Sequence, residues 1–454
     1  MSALDALQRR IPRWLGIDRA VFFAILGKIW SSFAGLVTIL LVAVFFSREL
    51  QGYYYTFNTV LALQVFAELG LGAVLTYYAS HEWAKLALDR HGQVIGDADA
   101  LSRLTSLGRF GVKWYLIAGA AISTVLVIGG LVFFSTAEPR AFPWRAPWVA
   151  LCVVTGLSLW VVPIVALLEG CNQVSRVYAY RLIQFVASGV AVWVAICLDA
   201  GLWAAPIGGL AGLVALLVPI GRRYGRFVMA ILFGQPKGPL LNWRKDILPM
   251  QWRIALSWIG GYFTFSLFSP VLFHYQGPIV AGQMGMTWVF VSALMAVASS
   301  WVTPKAPLFG MLIAQQKYAE LDQLFWRITA AVVAVTAVGA LSIWVLVFVL
   351  GQLHHPFATR VLDSTTTGYL LVATIIVSAS LPMAIYLRAH KKEPLLTLSV
   401  ISGLLTGIAV VVLGRHYSAD GVAIGYLVVM ATLTPFVALI WHRRRAEWHA
   451  HAAS

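Results

Sequence analysis

The chain has 454 residues, of which 60% are hydrophobic and only 11% charged, with a mean hydropathy of +0.81. Soluble domains are about a quarter charged, so a water-soluble fold of this size is excluded for want of polar surface. The 33 Lys and Arg outnumber the 18 Asp and Glu to leave a formal net charge of +15, which in a membrane protein reports topology rather than affinity for nucleic acid.

Among the first residues Arg9, Arg10, Arg13 and Arg19 are interleaved with Leu4, Leu7, Ile11, Trp14 and Leu15 at helical spacing. Residues 1–20 read as a cytoplasmic amphipathic segment on anionic lipid, with plain disorder as the alternative. The apolar run that follows is too long for a signal peptide, so the segment is expected to stay.

Twelve apolar runs are long enough to span a bilayer: Val21–Phe46, Tyr54–Tyr78, Val112–Phe134, Trp148–Leu168, Tyr178–Leu198, Leu202–Ile220, Ile254–Phe273, Val280–Val302, Phe325–Leu350, Tyr369–Leu387, Leu395–Leu413 and Val422–Trp441. With the N-terminus inside, 27 cations fall on inner segments. Only Arg48, Arg140, Arg145, Arg360 and Arg415 lie outside, and Lys28 lies within a span. The positive-inside rule fixes that orientation, and an even number of spans leaves both termini in the cytoplasm. The outer loops are short and nearly free of acid–base groups, so an enzyme with a periplasmic catalytic domain does not fit. Cys152, Cys171 and Cys197 form no C-x-x-C pair and read as small core residues.

The sequence also repeats. Lys28-Ile-Trp-Ser-Ser-Phe-Ala-Gly35 matches Arg253-Ile-Ala-Leu-Ser-Trp-Ile-Gly260 at an offset of 225 that also carries Gln51-Gly52 onto Gln276-Gly277. Gly170 and Gly201 find counterparts at Ala389 and Gly421. Six spans per repeat imply parallel halves about an axis along the membrane normal. The expected fold is all-α, with twelve transmembrane helices in two six-helix bundles around a central cavity. Residues 21–221 form the first bundle, 222–249 a basic cytoplasmic linker, 250–441 the second bundle and 442–454 a basic cytoplasmic tail.

Three stretches carry a family resemblance: Phe66-Ala-Glu68-Leu-Gly70-Leu-Gly72 in the second span, Leu168-Glu169-Gly170-Cys-Asn172-Gln173-Val-Ser-Arg176-Val-Tyr178-Ala-Tyr180-Arg181 between the fourth and fifth, and Gly201-Leu-Trp-Ala-Ala205 opening the sixth. They resemble the polysaccharide transporter branch, which contains the O-antigen flippases, of the multidrug/oligosaccharidyl-lipid/polysaccharide exporter superfamily. The resemblance implies an alternating-access flippase of the bacterial inner membrane. It would move undecaprenyl-diphosphate-linked oligosaccharide from the cytoplasmic to the periplasmic leaflet, beside glycosyltransferase and glycan-polymerase partners.

Such a substrate calls for cations in a wet cavity. Lys28 and Arg253 occupy matching repeat positions and read as a pyrophosphate clamp, the bland alternative being that both snorkel to the interface. Glu68 is the other ionisable group deep in a span and reads as the ion-coupling residue. Lys28 lies twenty residues before Arg48 and Glu68 twenty after, so an antiparallel hairpin would pair them at one depth, and protonating Glu68 would release Lys28. Trp30 and Trp258 flank the repeated Ser and Gly positions and read as cavity residues. Asn58, Gln64 and the Tyr53-Tyr54-Tyr55 run read as sugar contacts, the tyrosines alternatively as an interfacial belt. Gly35, Gly260 and Gly261 read as points of close helix approach. No P-loop, H-E-x-x-H or other metal or cofactor motif is present, and no cofactor is expected. The rival readings are a cation-coupled drug exporter or peptidoglycan-precursor flippase of the same superfamily, and a polymerase- or ligase-type membrane enzyme.

Overall fold

The structure, a computed structural model, describes residues 19–89, 94–135, 142–234, 238–390 and 394–453. The amphipathic segment read over residues 1–20 lies outside these up to residue 18. The first span is α1 (Arg19–Phe45). The second is broken into α2 (Arg48–Leu61), a 3-10 turn, α3 (Val65–Glu68) and α4 (Leu71–Trp83). Then come α5 (Ala98–Ser135), α6 (Arg145–Leu168), α7 (Val174–Cys197) and α8 (Ala204–Phe233). The second half comprises α9 (Leu248–Phe265), α10 (Phe268–Gln276), α11 (Pro278–Val302), α12 (Ala306–Ala314), α13 (Tyr318–Gln352), α14 (Ser364–Ala389) and α15 (Leu396–Ala453).

Eight stretches are long and apolar enough to cross a membrane, and two bent pairs, one over Arg48–Trp83 and one over Gln251–Gln276, make one crossing each. Two of the eight run for 53 residues, about 80 Å of helix where a bilayer core is about 30 Å thick. Each turns back at a residue in the left-handed region, Asn172 (φ 59°) in one and Ser418 (φ 55°) in the other. Each therefore holds two spans, and the crossings among the described residues number twelve, as the sequence predicts. The chain is a multi-pass membrane protein.

The helices overrun the bilayer, which the apolar runs alone did not reveal. The 38 residues of α5 extend about 57 Å, and the N-terminal end of that helix carries an ion pair in which Arg103 Nε meets both Glu82 oxygens at 2.9 Å. At the end of α15, Arg445 makes a two-point contact with Asp322. A small antiparallel hairpin, β1 (Leu86–Leu88) with β2 (Val94–Gly96), adds strand to an otherwise helical chain. Cys152 and Cys171 are buried as expected, whereas Cys197 is exposed.

Two compact units emerge. Among the described residues, one holds 19–46, Leu63–Ser135 and 142–255; the other holds Ser47–Ala62 and those from Leu256 onward. In the first, α1 packs along α7, α7 along α8 and α5 along α6, over a core that includes Leu71, Leu104, Tyr115, Leu168 and Phe227. In the second, α13 packs on α14 and α14 on α15, and Phe309, Phe325, Tyr386 and Trp441 form an aromatic core.

The second unit also contains α2, whose principal partner is α11. The two backbones touch. A Cβ on Gly52 would overlap the Pro278 carbonyl, one on Gly285 would overlap Tyr55, and one on Gly282 would lie 2.8 Å from the Gly52 amide. Gln51, 1% exposed, seals the end of this seam by donating Nε2 to the carbonyls of Gly282 (2.9 Å) and Arg360 (2.8 Å). Its repeat counterpart Gln276 likewise donates to two carbonyls, those of Gly414 and Arg415 at 3.2 Å. Of the glycines read as close-approach points only Gly260 has that role, against Ser399 and Gly403, while Gly35 and Gly261 have nothing within 4 Å of a Cβ position.

Gly52→Ala therefore drives a methyl into backbone, and thermal unfolding in detergent is expected to show a loss of about 1–3 kcal/mol. Gly35→Ala, which meets nothing, is expected to hold or gain stability by up to about 1 kcal/mol from helix propensity. Equal behaviour of the two variants would refute the seam.

Candidate functional site

The second span is broken by its own residues. Leu69 (φ 45°) and Gly70 (φ 69°) both adopt left-handed backbone, a conformation that is uncommon for leucine and natural for glycine. Leu69 N still closes the preceding turn on Val65 O at 3.0 Å, but the carbonyls beyond it lose their helical donors. Trp114 Nε1 on α5 supplies one, donating to Ala67 O at 3.1 Å. In lipid an orphaned carbonyl costs several kcal/mol, so this indole bond is part of what makes the break tolerable. Gly70 is required a second time because Ile254 Cγ2 occupies the place a Cβ would take. Gly72 lets the Tyr115 hydroxyl approach, at 3.3 Å from its own Cβ position. The Glu-Leu-Gly-Leu-Gly motif is thus the recipe for a kink of 45°.

Glu68 is the last helical residue before that kink. It is half-buried and makes no ion pair or hydrogen bond among the described residues. Gln64 stands one turn earlier, also half-buried. The expected Lys28–Glu68 pair is not formed. The hairpin argument required α1 and α2 to pack side by side, but α1 packs on α7 and α2 on α11.

Lys28 is exposed on α1, and its surroundings along that helix are informative. Ile25, Ile29, Phe33, Leu36, Leu40 and Val44 form one exposed apolar stripe. Trp30 faces another way, into the α1–α7 seam, with its ring 5.6 Å from Trp193 and 5.9 Å from Phe33. Lys28, Ser31 and Ser32 are exposed together on a third face, and Gly35 continues it half-buried. Farther along that same face Ile39, Val42 and Phe46 are buried. One polar face of α1 is therefore open at its N-terminal half and closed at its C-terminal half. Trp30, two residues from Lys28, is about 200° around the helix and is not on that face.

Arg253 is exposed on α9 with its guanidinium 5.6 Å over the Trp252 ring, and it shares the first unit with Lys28. The two make no common ion pair among the described residues. Trp258 is 40% exposed on the part of α9 that belongs to the second unit. Asn58 is exposed, its amide donating to Tyr54 O at 2.8 Å. The neighbouring tyrosines are neither belt nor sugar platform: Tyr53, Tyr54 and Tyr55 are buried, Tyr53 edge-on to Phe273 at 4.8 Å. They are interior because α2 presents them to packed helices rather than to an interface.

What the sequence missed is the packing of the segment before α9 and of the first turns of α9. The described residues from 238 to 249, read as part of a basic linker over 222–249, and the start of α9 belong to the first unit: Gly238 N and Leu241 N donate to Ser102 and Ser106 on α5 at 3.1 and 3.2 Å. Trp243 packs against Phe110 and Trp114 and donates to Gln251 at 3.0 Å. Tyr78 donates to the Asp246 carbonyl, and Ile254 closes on Gly70. The signal was available in Trp243 and Leu241, which a solvated linker does not need. The stretch Leu168–Arg181 is also structural. Gly170 fits against α4, Glu169 pairs with Arg181 at 2.8 Å, and Gln173 accepts from Tyr224 at 2.8 Å. Burial in that turn pushes the Glu169 carboxyl above its usual range, and Arg181 opposes the shift.

No protein-family model and no curated protein matches the chain. Solved structures do. An inward-facing multidrug resistance MATE transporter of the MOP superfamily superposes with a TM-score of 0.63 at 13% identity, over 94% of this chain and 95% of that one. The fold is that of the MOP-superfamily transporters. The MATE multidrug transporter DinF-BH gives 0.59 at 12% identity over 96% of each chain. The lipid II flippase MurJ, in an inward closed conformation, gives 0.56 at 14% identity over 92% and 87%.

Gly70→Ala is expected to cost about 1–3 kcal/mol in thermal unfolding, from overlap with Ile254 and from the left-handed backbone. Because the overlap needs both residues, adding Ile254→Ala should return part of the loss, a non-additivity of about 0.5–3 kcal/mol in a double-mutant cycle. Strict additivity would show that Ile254 does not bear on the kink.

Proposed function

We propose that the chain is a flippase that carries a polyprenyl-diphosphate-linked oligosaccharide from the cytoplasmic to the periplasmic leaflet of a bacterial inner membrane, with both termini cytoplasmic. The observation that carries this reading is the three-striped surface of α1. A polar face bearing Lys28, Ser31 and Ser32 is open over its N-terminal half and packed shut over the remainder, beside an apolar stripe. That is the surface a lipid-linked anion needs, with a cation and hydroxyls for the diphosphate and sugars and hydrocarbon for the tail. Arg253 serves as a second cation on the same unit, able to bind phosphate through two donors. Trp258, Asn58 and Gln64 are secondary sugar contacts, and Glu68 is the group whose protonation couples transport to a proton gradient. A lipid-linked substrate also agrees with the name of one structural neighbour, the lipid II flippase. Glycosyltransferases and a polymerase that make and consume the glycan are the partners, with anionic lipids at the basic inner face.

A cation-coupled drug exporter is the second reading, favoured by the Glu68 carboxylate, unpaired among the described residues, and by the multidrug neighbours. Vesicle assays separate the two. Purified protein is reconstituted with a fluorescent short-chain polyprenyl-diphosphate oligosaccharide, and its movement between leaflets is followed with a membrane-impermeant quencher. Wild type is expected to flip the probe. Lys28→Ala is expected to slow it about 10- to 100-fold, the value of one charge-assisted hydrogen bond to phosphate, without lowering thermal stability, since Lys28 has no partner to lose among the described residues. Wild-type vesicles that move a lipophilic cation but not the diphosphate probe would replace the proposal with the exporter reading.

A further inference from the structure

The start of α9 is anchored on one side and open on the other. Gln251, 2% exposed, accepts from Trp243 at 3.0 Å, and Ile254 lies against Gly70. Both contacts are made within the first unit, which ends at Ala255. On a helix those two residues are about 60° apart, and Trp252 and Arg253 between them point to the opposite side. There both are exposed, the indole by 46%. The two side chains are not independent. The Arg253 guanidinium lies 5.6 Å over the Trp252 ring, within the range of a cation–π contact. Successive helical residues diverge by about 100°, so the stack forms only because the guanidinium folds back over the indole. Stacking fixes the guanidinium plane and leaves its N–H edge able to take two oxygens of one phosphate. Among the described residues no carboxylate pairs with it.

We propose that Trp252 and Arg253 form a phosphosugar subsite, in which Arg253 takes the diphosphate and the Trp252 indole is the platform for the pyranose ring bonded directly to it. The inference rests on the reading of the chain as a carrier of polyprenyl-diphosphate-linked glycan. It adds a specificity to that reading: the subsite tells a sugar-loaded carrier lipid from the bare diphosphate, which has no ring to stack.

The chemistry of the two groups matches the two ends of that junction. A pyranose with equatorial hydroxyls presents C–H bonds on its faces, which pack on an aromatic ring as an apolar surface does while the hydroxyls stay in water. The first sugar is bonded to the diphosphate, so whatever holds the phosphate has the ring beside it. A tryptophan that served only as an interfacial anchor would need neither a stacked guanidinium nor anchored neighbours on either side. The pair also stands immediately before the seventh apolar run, Ile254–Phe273, at the depth where a lipid-linked diphosphate has its phosphates while its tail is in the leaflet. The preceding turn adds Arg244 and Lys245, both exposed, their amides donating to Asn242 Oδ1 at 3.1 and 3.4 Å. Asp246, the acid of that turn, is turned back onto Asn242 N at 2.7 Å. The approach to the subsite is therefore cationic, which favours an anionic ligand.

The test is calorimetric binding to the full-length protein in phosphatidylcholine nanodiscs, with two probes that share a tail: farnesyl diphosphate, and farnesyl diphosphate carrying one glucose. Wild type is expected to bind the glucosyl probe about 3- to 10-fold more tightly, the value of one stacked ring. Trp252→Ala is expected to abolish that preference while weakening the bare diphosphate only about 2- to 5-fold, through the lost cation–π contact. Arg253→Gln is expected to weaken both probes about 10- to 100-fold and to leave their ratio unchanged. Site-specific tetrafluorotryptophan at position 252 keeps the shape of the ring and depletes its π-face. It is expected to reduce the preference, and it tests the subsite even if the alanine variant does not fold. A preference that survives both replacements would overturn the platform, as would a wild type that binds the two probes equally. Equal weakening of both probes by Trp252→Ala would make Trp252 a support for Arg253 alone and would also overturn it. In each of those outcomes the flippase reading stands, because wild type still binds a diphosphate lipid. A wild type that binds neither probe would instead overturn that reading, and the inference with it.

Discussion

Lipid offers no hydrogen bonds to a peptide group, so every departure from continuous helix within the bilayer must be satisfied by the protein. The second span departs at Leu69 and Gly70, and much of the first unit is arranged around that departure. Trp114 takes the freed Ala67 carbonyl, Ile254 fills the space left by the missing Gly70 side chain, and Gly72 opens the notch into which Tyr115 reaches. Trp114 is in turn stacked with Trp243, and Trp243 is tied to Gln251 three residues before Ile254. The residues that tolerate the break thus form one closed ring of contacts through α5, the segment preceding α9 and the start of α9. A straight helix would need none of them. The arrangement is explicable if the break itself is useful, and what stands at its edge is Glu68, a carboxylate with no ion pair among the described residues.

A complementary rule governs the charges. A charge in the bilayer is costly unless it is paired or reaches water. Three paired carboxylates are at helix ends and turns: Glu82 with Arg103, Glu169 with Arg181, and Asp322 with Arg445. These pairs fasten helix extensions and turns, and they account for cations that topology alone would leave idle. Lys28 and Glu68 follow neither pattern, since each lacks a partner among the described residues and Lys28 is exposed on a polar face. The polar face resolves the cost for Lys28 by giving it neighbours, Ser31 and Ser32, that belong in water.

The span count and the positions of the chemically unusual residues are legible in the sequence because each depends on composition within a single segment. Partnership between segments is not. The pairing of Lys28 with Glu68 assumes that consecutive helices pack as a hairpin, and Gly52, Gly282 and Gly285 defeat that assumption by bringing α2 onto α11 instead. The same glycines turn the tyrosine run from an interface into interior. Gly35 and Gly261 mislead for the converse reason: a glycine in an apolar helix signals close approach only when a neighbour is there, and the neighbour is not written in the helix. The linker misleads because its cations, Arg244 and Lys245, are exposed, while Leu241 and Trp243, which hold it down, are outnumbered.

The shared fold does not choose a substrate, since multidrug exporters and a lipid flippase superpose on this chain about equally well. The choice must lie in side chains that the fold leaves free, and α1 shows how little sequence that takes. Its seam with α7 fixes the helix through Gly27, Trp30 and Thr38, the last accepting from Trp193 at 3.0 Å. Its apolar stripe is fixed by lipid. Only the face of Lys28, Ser31, Ser32 and Gly35 is under neither constraint, and a carboxylate in place of Lys28 would reverse the sign of that face without disturbing either of the others. In the proposed flippase, selectivity would therefore belong to one helical face, separable from the packing that holds the helix and from the kink that houses Glu68.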